Sequence, residues 1–241
     1  MLVSIMQPTW LSWIGYFDLI DQSDLFVLLD DAQFSKHTWQ QRNRIKINNS
    51  LAWLTVPVYT KGRSGQKINE VEIDRKRFPE KLLFQIKQHY VKSPFFSDYF
   101  YEFEDLLLNH QSDLLCDLNI KVLRWFLDKL NIDTEIVIAS SLNARGIRGS
   151  RTVKILKELG ALEYLSPIGS YEYLNEDIGF FKNNNIDIVF QNYKHPEYRQ
   201  VYPPFLNGAS LLDLLFNEGK DALNIIRSGR LNNIPYDKIT K

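Results

Sequence analysis

Two short apolar runs with a helical pattern between them open the chain, and this order most constrains its fold. Leu2–Met6 and Leu25–Leu29 are continuous and of strand length, which is typical of strands buried on both faces. Between them, Trp13–Asp21 carries apolar residues at helical spacing. A strand, a helix and a second strand in succession predict parallel pairing through a crossover. We therefore expect an α/β fold with a central, mostly parallel, Rossmann-like sheet.

The middle of the chain departs from this alternation in two places. Ile45–Tyr59 has two alternating arms around the turn residues Asn48-Asn49-Ser50, which predicts a hairpin excursion from the sheet. From about residue 77 to 130 the apolar spacing predicts three successive helices, as in a small bundle. We interpret this stretch as a helical subdomain within a single domain that spans residues 1–241.

Strand and helix signals alternate again in the last third of the chain. They run from Thr134 to Phe190 and extend the predicted sheet. Leu211–Phe216 then predicts the start of a final helix, and Asn232–Lys241 has the composition of a polar tail.

Composition limits the partners and the compartment. The 29 basic residues balance 29 acidic ones, so no overall positive charge attracts nucleic acid. The single cysteine, Cys116, excludes an internal disulfide and a multi-cysteine metal site. No apolar run approaches the ~20 residues of a membrane-spanning helix. We predict a cytoplasmic protein without a membrane span or a metal site, and the sequence leaves its oligomeric state open.

Tryptophans are concentrated near the amino terminus. Trp10, Trp13, Trp39 and Trp53 are four of the chain's five, and they stand among acids, amides and arginines. A core needs only apolar bulk, whereas a ligand pocket combines apolar walls with a few polar groups. The amino-terminal quarter is therefore the predicted ligand site, although tryptophans near a loop also act as core anchors.

Two acids follow the second predicted strand. Asp30 and Asp31 stand at its carboxyl end, where open α/β sheets place their ligands. They could act as a base, hold sugar hydroxyls or bind a metal, but solvated turn acids are also common. His37 is a third candidate for proton transfer, although any histidine can titrate near neutrality without doing chemistry.

A basic cluster comes next along the chain. It contains Lys36, His37, Arg42, Asn43 and Arg44. Arginine suits bidentate contact with phosphate or carboxylate, so the cluster predicts an anion site. The alternative is a solvated face whose charges pair with nearby acids.

Other candidates lie farther along the chain. Arg148 and Arg151 flank Ser150 at the start of a predicted helix, where a phosphate could bind, although capping by Ser150 alone explains the pattern. Ser166 follows a predicted strand, and His195 stands in an irregular polar segment where a structural hydrogen-bonding role is equally compatible.

Several of these segments together resemble the WbqC-like family. The resemblance rests first on Gln7-Pro8, Trp13, Gly15-Tyr16-Phe17, Asp24, Leu29-Asp30-Asp31, Gln33-Phe34, Trp39, Arg42-Asn43-Arg44-Ile45-Lys46 and Trp53-Leu54-Thr55-Val56-Pro57-Val58. Later segments also match, namely Tyr164-Leu165-Ser166, Tyr198-Arg199-Gln200 and Leu211-Leu212-Asp213-Leu214-Leu215-Phe216-Asn217-Glu218-Gly219. The resemblance spans nearly the whole chain, and its first block is specific. Gln41 departs from the asparagine expected there.

The resemblance implies a setting in bacterial O-antigen and amino-sugar gene clusters. From it we expect a transferase of surface-polysaccharide precursor synthesis that adds an acyl or aminoacyl group to the amino group of a nucleotide-linked amino sugar. A thioester donor, coenzyme A or a carrier protein, is expected, and no cofactor is firmly implied. The competing hypothesis is a sugar-nucleotide-binding or assembly protein of the same pathway that has no catalytic activity.

The transferase hypothesis gives each candidate a role. Asp30, Asp31 or His37 accepts a proton from the attacking ammonium group, because an amine must be neutral to act as a nucleophile. Arginines hold phosphates, and tryptophans contact the base or sugar. The substrate-binding candidates are Gln7, Trp10, Trp13, Tyr16, Gln33, Lys36, Trp39, Arg42, Asn43, Arg44, Arg148, Arg151, Ser166 and His195.

Overall fold

The computed structural model describes residues 1–239. Its strands are β1 (Leu2–Met6), β2 (Leu25–Leu28), β3 (Arg42–Ile47), β4 (Ser50–Thr55), β5 (Glu135–Ile138), β6 (Glu163–Pro167), β7 (Asp187–Gln191) and β8 (Ile234–Pro235). Its α-helices are α1 (Ile14–Gln22), α2 (Glu80–Tyr90), α3 (Phe96–Leu108), α4 (Leu115–Leu130), α5 (Arg148–Glu158), α6 (Tyr171–Lys182), α7 (Leu211–Glu218) and α8 (Ala222–Ser228).

The central sheet has the strand order β5-β2-β1-β6-β7-β8. Its first five strands are parallel, and only the edge strand β8 runs antiparallel. Strands β1 and β2 have almost no exposed side chains, since β2 is buried throughout and Val3 and Ile5 of β1 are buried. The predicted α/β fold with a mostly parallel sheet is thus confirmed.

The strand order reverses direction between β1 and β6. From β1 the chain builds outward through β2 to β5, then returns across the sheet to add β6 and β7 on the other side. Such a switch point opens a crevice beyond the carboxyl ends of the two central strands, and open α/β sheets bind ligands there. The crevice here lies beyond Met6 and Pro167.

The helical middle segment packs on one face of the sheet through aromatic contacts. Phe126 of α4 meets Phe17 of α1 edge to face, with ring centroids 5.4 Å apart, and Phe96 of α3 contacts Phe216 of α7 at 5.3 Å. The apolar faces of α2, α3 and α4 join those of α1 and α7 in one buried cluster. The other face of the sheet is covered by α5 and α6.

The hairpin of β3 and β4 stands apart from the central sheet as a two-stranded ribbon, as predicted. Its first strand begins at Arg42, which brings the basic cluster into regular structure. Backbone bonds tie it to the chain around α7, since Ser210 N–H donates to Arg44 O at 2.9 Å.

Two expectations for the carboxyl-terminal part are wrong. The helix beginning at Leu211 is followed by α8, so it is not the last. Within the predicted polar tail, Ile234–Pro235 forms an edge strand on β7 and Tyr236–Lys238 a 3-10 turn, because Ile234 and Tyr236 pack on the core beside α6. Residues 240–241 of that tail lie outside the described part. Within residues 1–239, no helix is long and apolar enough to cross a membrane.

Candidate functional site

A cavity of about 890 Å³ lies at the switch point. Its floor is formed by the carboxyl ends of β1 and β2, and its sides by the first turn of α5, by α6 and by residues 33–40. Its lining includes Gln7, Asp31, Gln33, Trp39, Arg148, Arg151, Tyr173 and Asp177. We call it the first cavity.

The loop after β1 is held to the segment that follows β2. Gln40 Nε2 donates to Gln7 Oε1 at 2.7 Å, and Trp10 N–H donates to Trp39 O at 2.9 Å. Trp10 is fully buried and anchors this contact in the core. The anchor places Gln7 and Trp39 on the same wall of the first cavity.

Asp31 and Arg151 form the best-defined ion pair of the first cavity. Arg151 Nη2 lies 2.7 Å from Asp31 Oδ1 and 2.6 Å from Oδ2. The two side chains are only 13% and 14% exposed, so the pair is poorly screened by water. Arg151 Nε is buried without a hydrogen-bond partner among residues 1–239. The pair fixes the carboxylate at the cavity wall.

The first turn of α5 is already occupied by a carboxylate from α6. Asp177 Oδ2 accepts a hydrogen bond from Gly149 N–H at 2.9 Å and lies 3.6 Å from Arg148 Nε. Arg148 also pairs with Glu176 Oε2 at 2.5 Å. A Cβ atom at Gly149 would lie 2.5 Å from Asp177 Cβ, so glycine permits this close approach. The positive end of the helix is therefore neutralised within the protein.

A second cavity, of about 450 Å³, adjoins the first. The two share Met6, Thr9 and Trp39 in their walls. The second cavity is also lined by Trp13, Tyr16, Asn43, Arg44, Tyr193, His195, Asn207 and Gly208. Since one wall is common, the two cavities form a continuous groove across the amino-terminal loop.

Arg44 is the cation of the second cavity. Its guanidinium carbon lies 5.6 Å from the ring centroid of Trp39 and 5.9 Å from that of Trp53. Within residues 1–239 it has no ion-pair partner, and its Nε is buried without a hydrogen-bond acceptor. Its charge is thus balanced only by aromatic faces.

His195 holds the chain beside Arg44 through both ring nitrogens. Nδ1 lies 2.9 Å from Pro196 O and Nε2 lies 3.3 Å from Gly208 N. A carbonyl accepts and an amide N–H donates, so this arrangement fits the neutral ring with its proton on Nδ1. Burial lowers the pKa of His195 below its ordinary value. The ring also stacks on Trp13, with centroids 6.2 Å apart.

A buried polar network anchors the loop that carries His195 and Gly208. Asp213 of α7 accepts hydrogen bonds from Tyr90 Oη at 2.8 Å, Tyr198 Oη at 2.7 Å and Gln200 Nε2 at 2.8 Å. Burial raises the pKa of Asp213. Lys46, which is 1% exposed, donates to Pro204 O in the same loop. The loop is thereby fixed to α7 and β3.

Comparison with known proteins connects this geometry to a family. Residues 7–225 match the WbqC-like protein family, which covers the amino-terminal loop, both cavities and the Asp213 network. The chain belongs to the WbqC-like protein family. It is also 31% identical over 226 residues to the uncharacterized protein Rv1507c of Mycobacterium tuberculosis, covering 93% of this chain and 97% of that protein. No solved structure matches it.

The cavities of this WbqC-like protein bring together eleven of the predicted site residues, of which Trp39 alone lines both. In the first cavity these are Gln7, Asp31, Gln33, Trp39, Arg148 and Arg151. In the second they are Trp13, Tyr16, Trp39, Asn43, Arg44 and His195; the amide of Asn43 donates to Trp10 O at 3.2 Å and Leu11 O at 2.7 Å.

Three predicted site residues lie buried outside both cavities. Asp30 is 3% exposed, and its carboxylate accepts bonds from Asn69 Nδ2 at 2.8 Å and Ser140 N–H at 2.9 Å. Trp10 lies in the core, and Ser166 is hydrogen-bonded to Ser170 Oγ at 2.7 Å. Each of the three has a structural environment that accounts for its burial.

Three others lie outside the cavity walls. Lys36 and His37 are exposed, in the segment between β2 and β3. Arg42 of β3 is half-buried, and its guanidinium carbon is 4.1 Å from the ring centroid of Trp53. Arg42 and Arg44 therefore both lie near Trp53, but only Arg44 lines a cavity.

The structure adds Asp177 and Tyr173 to the first cavity and Gly208 to the second. Asp177 and Tyr173 belong to α6, whose sequence has no motif to mark them. Gly208 follows Asn207 in an irregular segment, which indicates a turn but not a cavity wall. Within the described residues, no group of three His, Cys, Asp or Glu side chains could hold a metal ion.

Proposed function

We propose that this protein is a transferase of surface-polysaccharide precursor synthesis. It joins an acyl or aminoacyl group to the amino group of a nucleotide-linked amino sugar. The observation that carries the proposal is the carboxylate of Asp31, fixed by Arg151 in the wall of a large cavity at the switch point of the sheet. Membership of the WbqC-like family supports the setting.

The size of the groove agrees with a substrate of this class. Small-molecule sites occupy roughly 300–1,000 Å³, and the first cavity alone has about 890 Å³. The adjoining 450 Å³ leaves room for a second component. A nucleotide sugar is elongated, so a groove of two connected parts suits it better than one round pocket.

Asp31 has the chemistry to receive the amino group. A carboxylate has about four lone-pair sites, and Arg151 Nη2 uses one on each oxygen. The remaining sites can accept hydrogen bonds from an ammonium group of the sugar. Once the ammonium is held there, transfer of one proton to Asp31 leaves the neutral amine that acts as nucleophile.

The reaction then balances with a thioester as donor. The amine nitrogen attacks the thioester carbonyl, a C–N bond forms, and the C–S bond breaks with release of the thiol. As the amide forms, the attacking nitrogen loses a proton and the departing thiolate takes one up. No atom changes its oxidation state, so no redox partner is needed. No covalent intermediate on the enzyme is required.

Product formation tests this proposal. The wild-type protein is incubated with amino-sugar nucleotides and acyl or aminoacyl thioesters, and the amide product is detected by mass spectrometry. We expect Asp31→Asn to lower turnover at least tenfold, since an amide is a poor proton acceptor. His37→Ala is the matched control, because His37 is exposed outside both cavities, and it should retain activity. Saturable binding without product from any donor would favour the non-catalytic binding protein.

A further inference from the structure

We infer that the second cavity binds the nucleoside diphosphate part of the substrate, with its phosphates at Arg44. The first cavity then receives the amino sugar. This division rests on the proposed function for the identity of the substrate, but the charges that lead to it are independent of that proposal.

The arginines of the first cavity already have carboxylate partners. Arg151 is paired with Asp31 at 2.6 Å, and Arg148 is paired with Glu176 at 2.5 Å. The N–H of Gly149 at the start of α5 is likewise bonded to Asp177. A phosphate entering there would have to displace a carboxylate or lie beside one. The first cavity is therefore better suited to a cation such as an ammonium group.

Arg44 differs from these arginines in having no carboxylate beside it in the described part of the chain. It lines the second cavity, and it has no carboxylate partner within residues 1–239. A partly buried guanidinium with an unpartnered Nε is costly unless an anion satisfies it. Arg42 and Arg151 also have such an Nε, but Arg42 lies outside both cavities and Arg151 is paired with Asp31, so Arg44 is the cavity arginine whose charge is available to a ligand. Arginine binds phosphate through two parallel N–H donors. An anionic ligand would thus complete the hydrogen bonding that the protein leaves open.

Two neighbours restrict the position of that guanidinium before any ligand arrives. A Cβ atom at Gly208 would lie 2.4 Å from Arg44 Nη2, so the cation rests against this backbone. On the other side it faces the ring of Trp39. A preorganised cation binds an anion with a smaller loss of side-chain entropy.

The aromatic walls beside Arg44 suit the nucleobase. Trp13 and Trp39 line the second cavity and are 39% and 47% exposed, so part of each indole is accessible to a ligand. Aromatic side chains stack on the faces of bases. Because Met6, Thr9 and Trp39 also border the first cavity, a ligand bound at Arg44 can extend its sugar toward Asp31.

Calorimetric titration with UDP, GDP, CDP and dTDP tests the inference on the full-length protein. We expect at least one of them to bind and Arg44→Gln to weaken that binding at least tenfold. Arg42→Gln is the matched control, since Arg42 lies on the same strand over Trp53 but outside both cavities. Arg148→Gln tests the alternative that the diphosphate binds in the first cavity. Both controls should remain within twofold of wild type.

The opposite results overturn the inference. These are no binding of any of the four diphosphates, unchanged affinity in Arg44→Gln, or an equal loss in Arg148→Gln. Should Arg44→Gln fail to fold, wild-type protein is treated with phenylglyoxal with and without the bound diphosphate, and modified peptides are identified by mass spectrometry. Protection of Arg44 supports the inference, and equal modification with and without ligand contradicts it.

These outcomes separate the inference from the proposed function. Arg44-dependent diphosphate binding without any amide product would leave the second cavity as a nucleotide site and refute the transferase. Amide formation with an unchanged KM for the sugar nucleotide in Arg44→Gln would support the transferase and refute the diphosphate site at Arg44.

Discussion

The backbone of Gly208 lies against the guanidinium of Arg44, so that a Cβ atom added there would be 2.4 Å from Arg44 Nη2. Gly208 also has φ of 78°, in the left-handed region where glycine is favoured. Its N–H donates to His195 Nε2. Gly208 thus contacts both Arg44 and His195 from a backbone conformation that favours glycine.

Gly208→Ala should lower both stability and diphosphate affinity. Gly62→Ala is the matched control, because Gly62 has a similar φ of 73° and open space around it. We expect both variants to lose about 1–3 kcal/mol of unfolding free energy from backbone strain. Only Gly208→Ala should weaken diphosphate binding, since only there does the methyl group displace Arg44. Urea unfolding and calorimetry measure the two effects. Equal affinity in the two variants would contradict the role of this contact.

The neighbouring acids Asp30 and Asp31 should respond differently to the same substitution. Asp30→Asn places an amide NH₂ opposite the donor of Asn69 or Ser140, and should cost about 1–3 kcal/mol of unfolding free energy. Asp31→Asn also costs stability, since it leaves the Arg151 charge without its carboxylate, but we expect only this variant to lose turnover while it is folded. Chemical denaturation and product assays compare the pair. A loss of turnover confined to Asp30→Asn in folded protein would transfer the catalytic role to Asp30.

The second cavity should weaken at mildly acidic pH. Burial lowers the pKa of His195 below 6.5, so the unfolded state takes up this proton at a higher pH than the folded state. The stabilising contribution is therefore complete above pH 6.5 and is lost as the pH falls through the folded-state pKa. Protonation also removes the acceptor for Gly208 N–H, and we expect diphosphate affinity to fall together with stability.

Comparison of wild type with His195→Gln isolates this effect. Burial lowers the pKa values of His89 and His110 as well, so the wild-type stability profile alone is not specific. A glutamine oxygen can accept from Gly208 N–H without titrating, and should flatten the pH dependence of binding below pH 6.5. His37→Ala should retain the wild-type dependence. If His195→Gln and wild type have the same profile, another group is responsible.

Tyr198→Phe should loosen the loop that carries His195. The Tyr198 hydroxyl donates to Asp213 at 2.7 Å inside the core, and its removal should cost about 1–3 kcal/mol. Tyr101→Phe is a suitable control, because Tyr101 is 58% exposed and should change stability by under about 0.5 kcal/mol. Thermal unfolding measures both, and hydrogen exchange of residues 198–208 should increase only in Tyr198→Phe. Identical melting temperatures in the two variants would count against the anchor.

Much of the fold follows from local sequence pattern. The apolar runs at Leu2–Met6 and Leu25–Leu29 predicted parallel strands because the helix between them requires a crossover. The edge strand at Ile234–Pro235 could not be predicted, since two residues have no periodicity and their pairing depends on β7. Likewise, α8 has only seven residues and follows α7 after the turn 219–221, so its helical periodicity is too short to stand out in the sequence.

The location of the site could be predicted from the sequence, but which of its charged side chains are paired with one another could not. The carboxyl end of a buried strand pointed to Asp30 and Asp31, yet their side chains leave the strand end in different directions and only Asp31 lines a cavity. Arg42 and Arg44 are equivalent in the sequence pattern. Only Arg44 lines a cavity. This difference depends on contacts with Trp39, with Trp53 and with Gly208, which comes from a distant part of the chain. Asp177 is bonded across two helices, and no local pattern records such a contact.

The common wall of Met6, Thr9 and Trp39 has a consequence for the order in which substrates are recognised. A ligand that shifts the Trp39 indole in one cavity reshapes the other, so occupancy of the two is thermodynamically coupled. If the first ligand changes the affinity for the second by some factor, the second ligand changes the affinity for the first by the same factor. Affinities measured for either component alone would then differ from those in the complete ternary complex.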